Sequence, residues 1–168
     1  MSCRRARFEQ FYELSKDRCF RAVLATVGDA SEADDVLAEA FTRAWSRWND
    51  LDDHPAPAAW VVRTAVNLHR DRWRRSRRWL GVRRRTPSDD AYVETIDPAL
   101  ARAIRELPER QREAIVYRVL LGLSGADAAA EMGVDPGTVG THLRRALAAL
   151  RSAIPPPSHV TFTTEVVL

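Results

Sequence analysis

Residues 128–147, AAAEMGVDPGTVGTHLRRAL, restrict the possible fold more than any other part of the chain. Ala129 is followed by Gly133 four positions later, and Val139 comes six positions after that glycine. Two closely crossing helices need a small residue on the first helix, a glycine in the turn and a buried apolar residue on the second. The segment therefore predicts a helix-turn-helix. The alternative is a plain hairpin of two helices in a bundle.

The second helix of this pair has a polar outward face. Its side chains can donate hydrogen bonds to phosphates or to base edges in a major groove. They are Thr138, Thr141, His142, Arg144 and Arg145. In a plain hairpin the same arginines would be solvated.

Most of the remaining chain has apolar residues at helical spacing, which predicts an all-α protein. Gly28 ends the first helix, which could be split in two. Ser31, with Asp34 three residues later, offers an N-cap for the second helix, and Pro57 can open a third. The first unit is therefore expected to contain three helices. In the second unit, the expected N-caps are Asp97, Ser124 and Asp135.

The pattern divides the chain into two small helical domains joined by a linker. Helical periodicity is lost and turn-forming residues accumulate between the domains. The predicted boundaries are an N-terminal helical domain at 1–78, a linker at 79–97, a helix-turn-helix domain at 98–154 and a short tail at 155–168. A length of 168 residues is enough for two such domains.

Positive charge is concentrated in residues 63–85, which contain ten arginines and one acid. Their local charge of +9 contrasts with +3 for the whole chain. Trp73 and Trp79 are interleaved with these arginines. Aromatic rings stack on unpaired bases while arginines follow phosphates, so this segment suits single-stranded or opening DNA. The alternative is a solvated charged face.

The second predicted helix is acidic in its first half. Carboxylates there stabilise the helix dipole, which is a sufficient structural reason for them. Docking to a basic protein surface is the functional alternative. The acids are Glu32, Asp34, Asp35 and Glu39.

The sequence lacks the motifs that are typical of several classes of function. No run approaches the roughly 18 apolar residues of a membrane span, and the N-terminus lacks the apolar run of a signal peptide, so a cytoplasmic protein is predicted. Cys3 and Cys19 lack partners at metal-ligand spacing. No phosphate-binding loop or nucleophile–histidine arrangement is present, so we expect neither catalysis nor a cofactor.

Together these motifs resemble the bacterial RNA polymerase sigma factors of the extracytoplasmic-function group. DDVLAEAFTRAW, at 34–45, is similar to the family's segment that binds the clamp helices of the polymerase β′ subunit. AWVVRTAVNLHRDRWRR, at 59–75, is similar to the segment that melts and reads the −10 promoter element. Residues 107–151 are similar to the domain that reads the −35 element. The resemblance covers about residues 8–151.

The resemblance, with the charge pattern, implies three sets of contacts. The polymerase-binding residues are Asp34, Asp35 and Glu39. The −10 DNA-binding residues are Arg63, Asn67, Arg70, Asp71, Arg74 and Arg75. The −35 DNA-binding residues are Thr138, Thr141, His142, Arg144 and Arg145. The loop at 49–57 corresponds to the family's loop that captures a flipped −10 base.

The implied partners are core RNA polymerase, through its β′ and β subunits, promoter DNA and an anti-sigma factor. Neither a small-molecule substrate nor direct membrane insertion is implied. Some positions depart from the family pattern: Ala38 stands where glutamine is frequent, and Gly140 and His142 stand where lysine or arginine is frequent. A base preference therefore cannot be transferred from the family.

Two other functions are compatible with parts of the pattern. A stand-alone helix-turn-helix regulator would not bind polymerase, and it leaves the arginines of 63–85 unexplained. An adaptor made of two helical bundles would bind no DNA even at low salt.

Overall fold

The computed structural model describes residues 2–79 and 96–154, and every regular element within them is helical. The elements are α1 (Ser2–Val27), α2 (Ala30–Ser46), α3 (Trp48–Leu51), α4 (Pro57–Trp79), α5 (Pro98–Glu106), α6 (Glu109–Ile115), a π-helical turn (Val116–Leu120), α7 (Gly125–Met132) and α8 (Pro136–Ala153). The predicted all-α class is confirmed. Most of the predicted linker and the predicted tail lie outside the described residues.

Helices α1, α2 and α4 form a three-helix unit around a shared apolar core. Val23 of α1, Val36 of α2 and Val61 of α4 are each fully buried at its centre. An aromatic cluster closes the end of the unit where α3 lies: the ring of Phe11 stacks on Trp48 at 4.9 Å, and Phe8 meets the same indole at 5.2 Å. Because α3 contributes Trp48 to this cluster, the chain between α2 and α4 is anchored.

The first two helices differ in detail from the sequence prediction. α1 is continuous over its whole length. Gly28 ends it as predicted, with φ +86°. The predicted N-cap at Ser31 is wrong: Asp29 is the N-cap, and its carboxylate accepts a 2.8 Å hydrogen bond from the Glu32 amide. The extended backbone of Asp29 lets the helix begin at Ala30, before Ser31 is reached.

Helices α5 to α8 form the C-terminal unit, and three of their caps follow the sequence prediction. Asp97 accepts from the amides of the first turn of α5, Ser124 accepts from the Asp127 amide, and Asp135 accepts from the Thr138 amide. The π-helical turn after α6 was not predicted. In that turn the Leu121 amide donates to the Val116 carbonyl at 2.9 Å.

Helices α7 and α8 form the predicted helix-turn-helix corner. Ala129 and Val139 are 3% and 1% exposed, so both lie at the crossing as the spacing requires. Gly133 ends α7 in the left-handed conformation, with φ +65°. The amide of Val134 then donates to the Ala129 carbonyl at 3.1 Å, which closes the turn.

The two units pack directly against each other. Ala25 of α1 is fully buried in a cluster with Ile104 and Leu107 of the C-terminal unit. Val116 and Tyr117 of the π-helical turn join the core of the N-terminal unit. No helix within 2–79 or 96–154 is both long and apolar enough to cross a membrane.

We expect Gly133→Ala to lower the free energy of unfolding by about 1 kcal/mol, because an L-residue at this positive φ strains the backbone. An added Cβ would meet nothing within 4 Å, so no clash contributes. Gly125→Ala is the matched control, since its Cβ also meets open space and its backbone is helical. Urea unfolding of both variants measures the difference, and equal stabilities would contradict a strained turn.

Candidate nucleic-acid interface

Two adjacent acids project from α2 opposite its buried face. Val36 and Leu37 face the core, whereas Asp34 and Asp35 are exposed. The carboxylates of both aspartates make no hydrogen bond or ion pair within the described part of the chain. Ala38 is exposed beside them. This surface can therefore accept a basic partner without first breaking an internal bond.

An apolar groove borders these acids, and the sequence reasoning missed it. It lies between α1 and α2 and has a volume of ≈ 270 Å³. Its lining residues are Tyr12, Lys16, Asp17, Phe20, Asp34, Leu37, Ala38 and Phe41. Tyr12 is exposed in this groove, whereas Leu37 and Phe41 are buried. An apolar groove rimmed by charges is typical of a protein-binding site. The rings of Tyr12 and Phe41 meet there at 4.9 Å, and this contact between distant segments has no signal in the local sequence pattern.

Glu39, the third predicted polymerase-binding residue, is bonded within the protein. Arg43 donates to its Oε1 at 2.6 Å, and Arg72 of α4 donates to its Oε2 at 2.8 Å. The hydrogen bond from Arg72, followed by that from Arg43, lowers the pKa of Glu39 below its usual value. Nearby, His69 of α4 lies 2.8 Å from Glu32 of α2. Two polar links therefore join α2 to α4.

The predicted −10 residues follow one long face of α4, which we call the basic face and which comprises Arg63, Asn67, Arg70, Asp71, Arg74 and Arg75. Spacings of three and four residues keep such side chains on neighbouring turns of a helix. All are exposed except Arg70, which is half-buried. The opposite side of α4 buries Val61, Ala65 and Leu68 in the core. This packing turns the arginines outward.

A second groove, of ≈ 470 Å³, lies between this face and the end of α2. Its lining residues are Arg43, Ser46, Arg47, Trp60, Thr64, Asn67, Leu68 and Asp71. Guanidinium, hydroxyl and amide groups suit the phosphate and base edges of a nucleic-acid strand. The sequence reasoning missed Arg43, Arg47 and Thr64. The two arginines lie four residues apart, one in the last turn of α2 and one at its C-cap, and this spacing could have indicated them.

Two residues of the basic face contact the other domain. Arg70 Nη2 is 2.5 Å from Oε1 of Glu109 on α6, and Arg63 Nη1 is 3.5 Å from Oε2 of Glu131 on α7. His54, from the predicted base-capturing loop, lies 3.6 Å from the same Glu131 carboxylate. In this conformation these three side chains therefore face protein carboxylates.

The predicted −35 residues project from α8. Arg144 and Arg145 are exposed, and Thr138, Thr141 and His142 are half-buried. The Thr138 hydroxyl donates to the Asp135 carboxylate at 2.5 Å, and the hydroxyl and amide of Thr138 together lower the pKa of Asp135. The Thr141 hydroxyl donates to the Gly137 carbonyl at 3.1 Å. Among the predicted residues on α8, Arg144 and Arg145 are therefore the two whose charged groups make no hydrogen bond or ion pair within the described part of the chain.

Comparison with known proteins identifies the family in which these two domains occur together. The pattern of Sigma-70 region 2 matches residues 11–79, and that of Sigma-70, region 4 matches residues 98–150. The chain is 32% identical over 152 residues to the RNA polymerase sigma-E factor of Streptomyces coelicolor, covering 88% of this chain and 85% of that one. It is also 32% identical to the ECF RNA polymerase sigma factor SigL of Mycobacterium tuberculosis, covering 79% of this chain and 80% of SigL.

A solved structure is similar over nearly the same length. The sigma factor RpoE, in complex with the anti-sigma factor NepR from Bartonella quintana, has a TM-score of 0.68 and 25% sequence identity, covering 87% of this chain and 95% of that chain. The chain therefore belongs to the extracytoplasmic-function group of RNA polymerase sigma factors. The predicted function, giving RNA polymerase its promoter specificity, is confirmed, and the stand-alone regulator is excluded.

The Glu39–Arg72 link predicts a pH-dependent stability. A folded-state pKa below the usual 4.5 means that the ionised carboxylate stabilises the fold above that pH, and that this contribution is lost as the pH falls through the lowered pKa. We expect Glu39→Gln to be less stable than wild type at pH 7, with the difference shrinking below pH 4.5. Urea midpoints from pH 7 to 3 measure it. A difference independent of pH would contradict the link.

Proposed function

We propose that the N-terminal unit binds core RNA polymerase through the acidic side of α2. Asp34 and Asp35 supply unpaired charge to a basic polymerase surface, and the groove between α1 and α2 supplies apolar contact. Glu39 contributes from the edge of this surface, where Arg43 and Arg72 hold its carboxylate. The observation that carries this proposal is the exposure of two adjacent carboxylates beside an apolar groove.

We further propose that the basic face of α4 holds the −10 strand while the duplex opens. Its arginines contact phosphates, and Asn67 and Asp71 read bases at the mouth of the groove shared with α2. The loop at 49–57 captures a flipped base. Phosphate contacts supply affinity and register, whereas base contacts supply specificity. This assignment rests on the exposed run of charge along one helix face.

The C-terminal unit is proposed to read the −35 element with α8 in the major groove. A recognition helix reaches base edges through side chains on its outward face, and these are Thr138, Thr141, His142, Arg144 and Arg145. The corresponding domain division is 1–78 for polymerase and −10 binding, 79–97 for the linker, 98–154 for −35 reading and 155–168 for the tail. We expect the chain to act in the cytoplasm and to catalyse no reaction itself.

An anti-sigma factor is the remaining proposed partner. RpoE from Bartonella quintana was solved with the anti-sigma factor NepR, and its fold is similar to this one. The groove between α1 and α2 is the surface that we assign to such a partner. Occupying it would exclude polymerase from the same acids.

Titrating fluorescently labelled protein with bacterial core RNA polymerase, without DNA, tests this proposal. We expect saturable one-to-one binding, which Asp34→Asn with Asp35→Asn weakens. Glu9→Gln is the control, because Glu9 is exposed on α1 and pairs only with Arg5 among the described residues. If the double variant binds polymerase as wild type does, the acidic side of α2 is not the polymerase-binding surface.

Arg74→Ala with Arg75→Ala should flatten the salt dependence of open-complex formation. Each lost phosphate contact removes roughly one unit of slope in a plot of log affinity against log salt, so we expect up to about 2 units. Arg5→Ala, on α1 with its side chain 75% exposed, should leave the slope unchanged. An unchanged slope in the double variant would mean that these arginines do not face DNA.

Arg145→Ala should weaken promoter binding by about 1–3 kcal/mol while leaving polymerase binding intact, because a base contact on α8 is lost. Arg102→Ala removes the same charge from an exposed position on α5 of the same unit and serves as the control. Gel-shift titration of holoenzyme on promoter DNA measures both variants. Equal weakening of the two would indicate a general charge effect in place of a specific contact.

A further inference from the structure

A cavity of ≈ 220 Å³ lies where α4 of the N-terminal unit faces α6 and the π-helical turn of the C-terminal unit. Three valines give it an apolar lining, Val62 and Val66 on α4 and Val116 on the π-helical turn. Val62 and Val116 are buried, and Val66 is half-buried. Because one water molecule needs only about 10–15 Å³ of cavity volume, this cavity can hold a small organic molecule.

Arg112 of α6 brings a positive charge without a counter-ion to the cavity. Its Nη2 donates to the Leu107 carbonyl at 2.9 Å, and the guanidinium makes no ion pair within the described part of the chain. Its Nε is buried without a hydrogen bond among the same residues. Burial, followed by the charge of Arg70, lowers the pKa of Arg112. A partly buried charge without a counter-ion costs free energy, which a bound anion would offset.

The other charged side chains that line the cavity already face opposite charges. Arg70 is 2.5 Å from a carboxylate oxygen of Glu109, and Arg63 is 3.5 Å from one of Glu131. Glu113 is 3.1 Å from an arginine outside the cavity. The lining contains three arginines and two glutamates, so its net charge is positive. Among these described residues, the charge of Arg112 is the one left for a ligand.

Tyr117 of the π-helical turn adds a neutral hydrogen-bond donor to the lining. Burial, followed by the charges of Glu113 and Glu131, raises the pKa of Tyr117 to about 12. The hydroxyl therefore keeps its proton at neutral pH and can donate to a carboxylate oxygen. A carboxylate can thus be held by a charged and a neutral donor at once.

We propose that this cavity binds a small organic carboxylate with an apolar body. The carboxylate pairs with Arg112 and accepts from Tyr117, and the body packs on the three valines. The planar guanidinium matches the geometry of a carboxylate, which favours this group as the anion. The ligand is bound and is not a substrate. Its binding requires neither polymerase nor promoter DNA, so its failure would leave the proposed contacts with both unaffected.

Fluorine NMR of 4-fluorobenzoate, titrated with the full chain, tests the proposal. We expect saturable one-to-one binding with a Kd of about 1 mM, as is typical of a ligand of this size. 4-Fluorobenzyl alcohol keeps the apolar body without the charge, and acetate, added as a competitor, keeps the charge without the body. We expect both to bind at least about tenfold more weakly than 4-fluorobenzoate.

Two variants locate the binding site. Arg112→Gln removes the charge and should weaken binding of 4-fluorobenzoate about tenfold, which corresponds to one charge-assisted hydrogen bond. Val66→Phe fills the cavity without changing its charge and should abolish saturable binding. Arg102→Gln is the matched control, because it removes the same charge from an exposed position on α5 outside the cavity. Far-UV circular dichroism with a thermal transition shows whether each variant is folded.

Three results would overturn the proposal. The first is the lack of saturable binding of 4-fluorobenzoate to wild type. The second is binding of the alcohol or of acetate as tight as that of 4-fluorobenzoate. The third is a folded Arg112→Gln or Val66→Phe variant that binds as Arg102→Gln does. If one variant does not fold, the other variant and the ligand series on wild type decide the outcome.

Discussion

Packing of α4 against α1 and α2 is the constraint on which the rest of the structure depends. Val61, Ala65 and Leu68 bury one side of α4, so the arginines of the other side have no position except the surface. A like-charged face of this density repels itself and gains from an anionic partner. Promoter DNA is the partner that we propose for this face, and in the structure Glu109 and Glu131 lie against two of its arginines.

The same packing connects the two surfaces of the N-terminal unit. Glu39 lies on α2, the helix that we assign to polymerase binding. Its carboxylate accepts a hydrogen bond from Arg72 on α4, the helix that we assign to DNA binding. The pair of His69 and Glu32 repeats this connection three residues earlier on α4 and seven residues earlier on α2. These two short contacts directly link the helix that we assign to polymerase with the helix that we assign to the −10 strand.

Local features of this fold could be predicted from sequence, whereas contacts between distant segments could not. The caps at Asp97, Ser124 and Asp135 depend only on residues within one turn, and each was predicted. The predicted N-cap of α2 was wrong because Asp29 and Ser31 are both residue types that cap helices well, and the turn at Gly28 favours the earlier residue. The pairing of Arg70 with Glu109 joins positions 39 residues apart, which no periodic pattern encodes.

This one chain gives RNA polymerase its choice of promoter. Run-off transcription with core polymerase, on a library of genomic fragments from the same bacterium, tests this role most directly. We predict discrete start sites that appear only when the chain is added and that share −10 and −35 elements at fixed spacing. Transcripts with unchanged start sites, from a folded protein bound to polymerase, would contradict it.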